Sequence, residues 1–207
     1  MSETGSLILV PTPIGNREDL SPRALRLIGE ADLVAAEDTR HTGRLLSEFG
    51  IKPRYLAFHE HNEIRQMPRL LEALADGLRI VLVSDAGTPG VSDPGFRAVR
   101  GARAAGHRVG VLPGPSALIT ALVGSGLPCD RFAFDGYLPR KSGQRRKLFA
   151  ALADETRTVI YYESPHRLAK SLAMLAETLP ERPVVVAREL SKRYEEYWRG
   201  SAAGLAW

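Results

Sequence analysis

Three segments of this chain set carboxylate and imidazole groups directly behind short apolar runs. Glu37-Asp38-Thr39-Arg40-His41 follows Leu33–Ala36. His59-Glu60-His61-Asn62-Glu63 follows Tyr55–Phe58. Glu163-Ser164-Pro165-His166-Arg167 follows Thr158–Tyr162. Groups of these types at strand ends exchange protons with a bound ligand. Their plain alternative is a charged, solvated helix start, with Thr39 as an N-cap in the first segment and Ser164-Pro165 as a cap in the third. His59 and His61 alternate as metal ligands do, but no third ligand stands beside them in the sequence. A hydrogen-bonded polar rim is the better reading, and no metal is expected.

A second kind of signal is a set of turns without side chains. Ser84-Asp85-Ala86-Gly87-Thr88-Pro89-Gly90-Val91-Ser92-Asp93-Pro94-Gly95 ends the apolar run Ile80–Val83. Glycine lets backbone approach a ligand closely, and proline fixes φ and removes an N–H. Asp93-Pro94 reads as the N-cap and first residue of a new helix. Pro11-Thr12-Pro13-Ile14-Gly15-Asn16 and Leu112-Pro113-Gly114-Pro115-Ser116-Ala117 are similar turns behind two other apolar runs. Each alone is an ordinary strand-to-helix turn; together they suggest a backbone-lined pocket at the strand ends of an open sheet. Neither the Gly-x-Gly-x-x-Gly fingerprint nor the phosphate loop with Gly-Lys-Ser/Thr occurs, which argues against a dinucleotide-binding dehydrogenase and a P-loop NTPase.

Arg140-Lys141-Ser142-Gly143-Gln144-Arg145-Arg146-Lys147 is a basic run without an acid. Cations in the first turn of a helix oppose its dipole, so the run suggests a phosphate partner over a solvated helix start. The net charge of +4 and pI of about 9.4 permit a polyanion without requiring one. The single cysteine, Cys129, excludes an internal disulfide and a cysteine zinc cluster, and fits a reducing cytosol. Beside Pro128 it reads as buried filler. The start, Met1-Ser2-Glu3-Thr4, is polar and acidic, unlike a secretion signal. The uncharged stretch from Val109 to Cys129 holds too many glycines and prolines for one membrane helix, and reads as a strand, a turn and a short helix.

The elements that position these groups alternate. Leu7–Val10, Leu33–Ala36, Tyr55–Phe58, Ile80–Val83 and Val109–Leu112 read as strands. Helices open at Ser21-Pro22, span about Arg65 to Ala75, and run from Asp93-Pro94 to Gly106. This alternation predicts a mostly parallel α/β sheet. Gly124-Ser125-Gly126-Leu127-Pro128 looks like a linker, dividing the chain into residues 1–123 and 124–207. The second part shows strands at Phe132–Phe134, Thr158–Tyr162 and Pro183–Ala187. Its helices run from Ser142 to Ala153 and from Ser164-Pro165 along Leu168, Leu172, Leu175 and Leu179, and a last one begins at Ser201. An open sheet edge or an absent terminal strand is expected there.

Taken in order, Thr12–Asn16, Ala36–Arg40, His59–Glu63, Ser84–Gly95, Pro113–Ala117, Tyr162–Arg167 and Ala187-Arg188-Glu189-Leu190-Ser191-Lys192 resemble one family across nearly the whole chain. It is the ribosomal RNA small-subunit cytidine 2′-O-methyltransferases of the tetrapyrrole-methylase superfamily. The resemblance implies two α/β domains with mostly parallel or mixed sheets, S-adenosylmethionine as cofactor, a cytoplasmic homodimer, and small-subunit ribosomal RNA as partner within its ribosomal subunit. Carried over by position, Pro13, Ile14, Gly87, Thr88, Pro89, Gly90, Val91, Ser116, Ala117, Tyr162 and Ala187 would bind the cofactor. Asp38, His61 and Glu163 would be the candidate acceptors of a ribose hydroxyl proton. Arg40, Arg140, Lys141, Arg145 and Arg146 would meet RNA phosphates. Pro13-Ile14-Gly15-Asn16 stands where small-molecule methylases of the superfamily carry Gly-x-Gly-x-Gly-Asp, as in the RNA branch. Members of the family continue beyond the position of Trp207, which implies a shortened C-terminal end. A porphyrin or corrinoid carbon methyltransferase, and a non-catalytic module that binds ligand or RNA, are the rival readings.

Overall fold

A computed structural model describes residues 5–206. The polar start Met1–Thr4 and the final residue of the expected terminal helix, Trp207, lie outside them. The chain divides into two compact units, Met1–Ser116 and Ala117–Trp207. The division falls just ahead of the helix that contains Gly124 and Ser125, so those two residues are helical and not linker.

The first unit alternates β1 (Ser6–Leu9), α1 (Pro22–Gly29), β2 (Leu33–Ala36), α2 (Thr39–Ser47), β3 (Tyr55–Ala57), α3 (Glu63–Ala75), β4 (Arg79–Val83), α4 (Phe96–Ala104) and β5 (Arg108–Val111). The strands form one parallel sheet in the order β3-β2-β4-β1-β5, with Leu7 opposite Ile80 and Val109, and Val34 opposite Val81. Side chains alternate between its faces. Leu7, Leu9, Ile80 and Leu82 pack with Leu70 and Leu74 of α3 and Ala98 and Ala102 of α4. Val34, Ala36, Val81 and Val83 pack on the other face with Ile28 of α1 and Leu45 and Leu46 of α2. All four residues of β2 are buried, as are the last four of β4. Cover on both faces is why these strands read as unbroken apolar runs.

The helix after β1 and the helix after β4 therefore lie on opposite faces, while β1 and β4 are neighbours. Diverging connections leave a crevice beyond the carboxyl ends of the two strands, where open α/β sheets bind ligands.

Local chemistry sets the helix starts. Ser21 caps α1 through the Ala24 N–H, followed by Pro22. Asp38, rather than Thr39, caps α2, accepting from the N–H groups of Arg40 and His41 at 2.8 and 3.2 Å. Helix α4 begins at Phe96 behind Gly95, not at Asp93-Pro94. The Asp93 carboxylate instead turns to Ser84.

The second unit contains α5 (Ala117–Ser125), β6 (Phe132–Tyr137), α6 (Ser142–Ala151), β7 (Thr158–Tyr162), α7 (Pro165–Thr178), β8 (Pro183–Arg188), β9 (Glu196–Ser201) and α8 (Ala202–Leu205). Strand β6 pairs with β7 in parallel, and β8 with β9 antiparallel. The sequence reading missed β9. Its Tyr197 donates to the Thr120 carbonyl at 3.1 Å, and Arg199 donates to the carbonyls of Gly124 and Ser125 at the end of α5. A guanidinium there satisfies orphan carbonyls and suits the helix dipole. A Cβ on Gly124 would collide with the Tyr197 ring, so this glycine serves close packing. Cys129 is exposed, contrary to the expectation of a buried filler. No described helix is long and apolar enough to cross a membrane.

Candidate active site

The turns behind β1, β4 and β5 meet at one end of the parallel sheet. Thr12 and Gly87 form an antiparallel bridge, exchanging N–H···O=C bonds of 3.0 and 2.9 Å. The buried Thr12 hydroxyl donates to the Ser84 carbonyl at 3.0 Å. Thr88 donates to the Pro115 carbonyl at 2.9 Å, tying the β4 turn to the β5 turn. Gly87 has φ +79°, and a Cβ there would stand 3.4 Å from the Ile14 side chain and 3.7 Å from the Pro115 carbonyl. The three turns are thus one built surface.

Nearby, Gly90 has φ +87°, and a Cβ on it would find only the Phe96 N–H, at 4.0 Å. Backbone is bare and accessible at this point. Such a surface suits a ligand that needs close approach and hydrogen bonds to main-chain groups, as an adenosyl group does.

The β2 turn joins this surface through a crossed pair. The Asp38 N–H donates to Asp85 Oδ1 at 3.0 Å, and the Asp85 N–H donates to Glu37 Oε2 at 3.2 Å. Glu37, Asp85 and Asp93 consequently form a carboxylate group beside Ser84. Burial raises the Glu37 carboxyl above its ordinary value, and the Asp85 charge adds to that against the Asp85 N–H and His59. Asp93 is pushed up to about 6 by burial first and the charges of Glu37 and Asp85 next, with the Ser84 hydroxyl opposing. Carboxyls raised by burial, and further by like charges beside them, are found at functional sites.

Asp38 has the opposite character. The N–H groups of Arg40 and His41 hold its carboxyl below the ordinary range, and it is occupied as a helix cap. His61 is exposed, with its ring edge-on to His59 at 6.1 Å between centroids. Asn62 of the same segment is buried and clamps the β3 turn, accepting from the His59 N–H at 2.9 Å and donating to the Ala57 carbonyl at 3.0 Å. Asp93 carries the strongest signal for proton transfer in this unit, and sequence reasoning assigned it to a helix cap. The polar Ser84-Asp85 pair immediately behind a buried strand was the clue available for it.

In the second unit, Tyr162 stacks edge-on between Phe134 and Tyr137, with centroids 4.9 and 5.5 Å away. Ala187 lies in β8 opposite Tyr197, and Ala117 opens α5. Glu163 is 8% exposed and fully engaged. It accepts from the Ser164 N–H at 2.7 Å and the Ser171 hydroxyl at 2.6 Å, pairs with Arg167, and lies 3.6 Å from Arg145. Its oxygens are engaged by groups of the second unit itself.

The same network corrects the reading of the basic run. Arg145 is buried, donating to Ser171 at 3.1 Å beside Glu163, and does not reach a surface where RNA could meet it. The cations in the first turns of α6 are answered internally, Arg145 by Glu163 and Arg146 by Glu177 at 3.0 Å. Arg140 and Lys141 are exposed ahead of α6, and Arg40 is exposed on α2.

Comparison with known proteins agrees with this arrangement. The chain is 53% identical over 206 residues to ribosomal RNA small subunit methyltransferase I of Escherichia coli O157:H7, spanning 98% of this chain and 72% of that protein. It is 53% identical over 192 residues to the protein of the same name in Pseudomonas aeruginosa, spanning 92% of this chain and 68% of that one. The crystal structure of uroporphyrin-III C-methyl transferase from Thermus thermophilus complexed with S-adenyl homocysteine shares the fold. Its TM-score is 0.61 at 20% identity, over 97% of this chain and 90% of that one. Residues 6–206 match the model of the tetrapyrrole (corrin/porphyrin) methylases, and with a parallel sheet whose strand ends carry three joined turns, the chain belongs to that family.

Proposed function

We propose that this chain is an S-adenosylmethionine-dependent methyltransferase that modifies the 2′-hydroxyl of a cytidine in small-subunit ribosomal RNA, working as a homodimer in the cytoplasm. The observation that carries the reading is the joined surface of Thr12, Gly87, Thr88 and Pro115 at the switch point between β1 and β4. The half-identical relatives named for small-subunit ribosomal RNA supply the substrate class.

Pro13, Ile14, Gly87, Thr88, Pro89, Gly90, Val91 and Ser116 of the first unit are the residues assigned to hold the cofactor there. Ala117, Tyr162 and Ala187 are assigned to it from the second unit. When bound, S-adenosylmethionine supplies an electrophilic methyl group on a sulfonium. The chain's own task is then to fix the acceptor ribose, exclude water and take the hydroxyl proton. Asp93 is the acceptor we assign. A carboxyl that titrates near 6 is mostly ionised at neutral pH yet retains more affinity for a proton than an ordinary aspartate. Asp38 then anchors α2 and the β2 turn, and His61 borders the site from the β3 turn. Arg40, Arg140 and Lys141 are assigned to RNA phosphates, positioning the strand without reading sequence.

Transfer of tritiated methyl from S-adenosylmethionine, offered in parallel to small ribosomal subunits and to a tetrapyrrole precursor, tests the reading. Label on the ribosomal RNA is expected. Label on the tetrapyrrole alone would replace the substrate class, and tight cofactor binding with no product would reduce the chain to a binding module.

A further inference from the structure

Strands β6 and β7 run parallel, with Phe134 opposite Ile160 and Tyr137 opposite Tyr162. Strand β6 thus advances by one residue more than β7 over this stretch, which is a β-bulge. Gly136 takes up the irregularity with φ +66°, a conformation open to glycine without steric cost. In an even strand, residue 136 would follow Phe132 and Phe134 on their face. The extra residue brings Tyr137 there instead. The side chains bear this out, since Tyr162 lies edge-on to both Phe134 and Tyr137. Their neighbours Asp135 and Tyr161, on the opposite face, meet through a hydrogen bond of 3.2 Å.

A bulge that served only packing would bury the ring that it re-aims. Phe134 and Tyr162 are half-buried, but Tyr137 is 61% exposed. The ring is nevertheless firmly mounted. Leu138, the next residue, is buried; its N–H donates to the Tyr162 carbonyl at 3.1 Å, and its carbonyl accepts from Arg167 at 3.4 Å. Arg140 and Lys141 follow three and four residues on, both exposed, within roughly 10–14 Å of extended chain from the ring. Further along, Arg145 and Arg146 are taken by Glu163 and Glu177. A protein partner would be met by a contiguous apolar patch. One rigid aromatic face followed by two exposed cations fits a nucleotide better: the ring takes a base, and the cations take phosphates.

We propose that Tyr137 is a stacking platform for an unpaired nucleobase of the RNA substrate, with Arg140 and Lys141 receiving the adjoining phosphates. The assignment rests on the ribosomal RNA reading and adds to it a residue that holds a base, next to Tyr162, itself assigned to the cofactor. Every base has a π-face, so the platform fixes the strand without selecting its sequence.

The test measures binding of a short oligocytidylate over a range of salt concentrations, and binding of S-adenosylhomocysteine beside it. Tyr137→Ala should weaken RNA binding by about ten-fold or more, and Tyr137→Phe should recover most of that loss, with S-adenosylhomocysteine affinity retained throughout. The slope of affinity against salt should stay the same in Tyr137→Ala, because lost stacking releases no counterions. Disturbance of the Arg140–Lys141 segment would lower it. Tyr137→Trp keeps a platform and reports on it: its emission, above the background of Trp198 and Trp207, should be quenched as RNA binds. That readout stands even if the alanine variant does not fold. The proposal is overturned if Tyr137→Ala binds RNA as the unaltered chain does, if it loses RNA and S-adenosylhomocysteine affinity together, or if bound RNA leaves the Tyr137→Trp emission unchanged. A change of oligomeric state with RNA affinity intact would assign the ring to a second copy instead. Failure of the ribosomal RNA reading shows separately, as small ribosomal subunits left unlabelled in the methyl-transfer assay.

Discussion

At the scale of single residues, two acids close in sequence to the same crevice have been driven in opposite directions. Asp38 is held ionised by backbone N–H groups, while Asp93 is raised to about 6 by burial and by Glu37 and Asp85. The proton-acceptor role of Asp93 predicts a rate that climbs with pH through about 6 and a loss of most activity in Asp93→Asn, with cofactor affinity retained. A methyl-transfer pH profile unchanged by the substitution would refute the role. The same shift has a stability consequence of definite sign. The folded state binds this proton more tightly than the unfolded chain, so the group costs nothing below the ordinary aspartate value. Its cost grows between that value and about 6, and persists above. Asp93→Asn should therefore stabilise the fold at neutral pH, by on the order of 1 kcal/mol once solvent screening of a half-buried group is allowed for, and not in acid. Urea midpoints at neutral and acid pH measure the difference. Arg145 presents the converse case. Removing it strips a buried partner from Glu163, so Arg145→Ala should lose about 3 kcal/mol of stability. The salt dependence of RNA binding should stay unchanged in that variant and fall in Arg140→Ala/Lys141→Ala.

At the scale of elements, strands were legible where burial on both faces leaves an apolar run bounded by turn residues. Leu33–Ala36 and Thr158–Tyr162 are strands over the very residues expected. Helix starts were legible where the cap is local, as at Ser21-Pro22. They were misread where a polar side chain had a distant partner: Asp93 carries the residue types of a cap but faces Ser84, and α4 opens three residues later. Strand β9 escaped because Glu196–Ser201 has no apolar alternation, and its pairing with β8 is a tertiary fact. Arg145 looked like a surface cation because its acid, Glu163, is far away in sequence. The convergence of the turns was only suggested by their composition; the Thr12–Gly87 bridge and the Thr88–Pro115 bond supply it. Gly87 is where these turns lock. Gly87→Ala would place a side chain at φ +79° against Ile14, costing about 1 kcal/mol and moving the β1 and β5 turns apart. Calorimetry with S-adenosylhomocysteine should show affinity lower by at least about ten-fold, since a misplaced cradle loses contacts across the whole ligand. Unaltered affinity would mean the joined turns do not hold the cofactor.

At the scale of the whole chain, the two units differ in how completely their strands are covered. The first has helices on both faces of a five-stranded sheet, and β2 and the apolar part of β4 are buried. The second has two separate pairs of strands, and every residue of β7 and β8 keeps some exposure. Amide protons leave either by local opening or by global unfolding, and the route depends on how many neighbours must move. Ile80, Val81 and Leu82 have paired strands on both sides and packed side chains above and below, so their amides should exchange only when the first unit unfolds. Val184, Val185 and Val186 have one paired side, so opening β8 disrupts its ladder with β9 and its contacts with α5 and α8. Their exchange in the isolated chain should be faster by about two orders of magnitude or more, corresponding to an opening free energy lower by at least ~3 kcal/mol. Equal protection in the two units would show that burial in the second is more complete than its free edges imply.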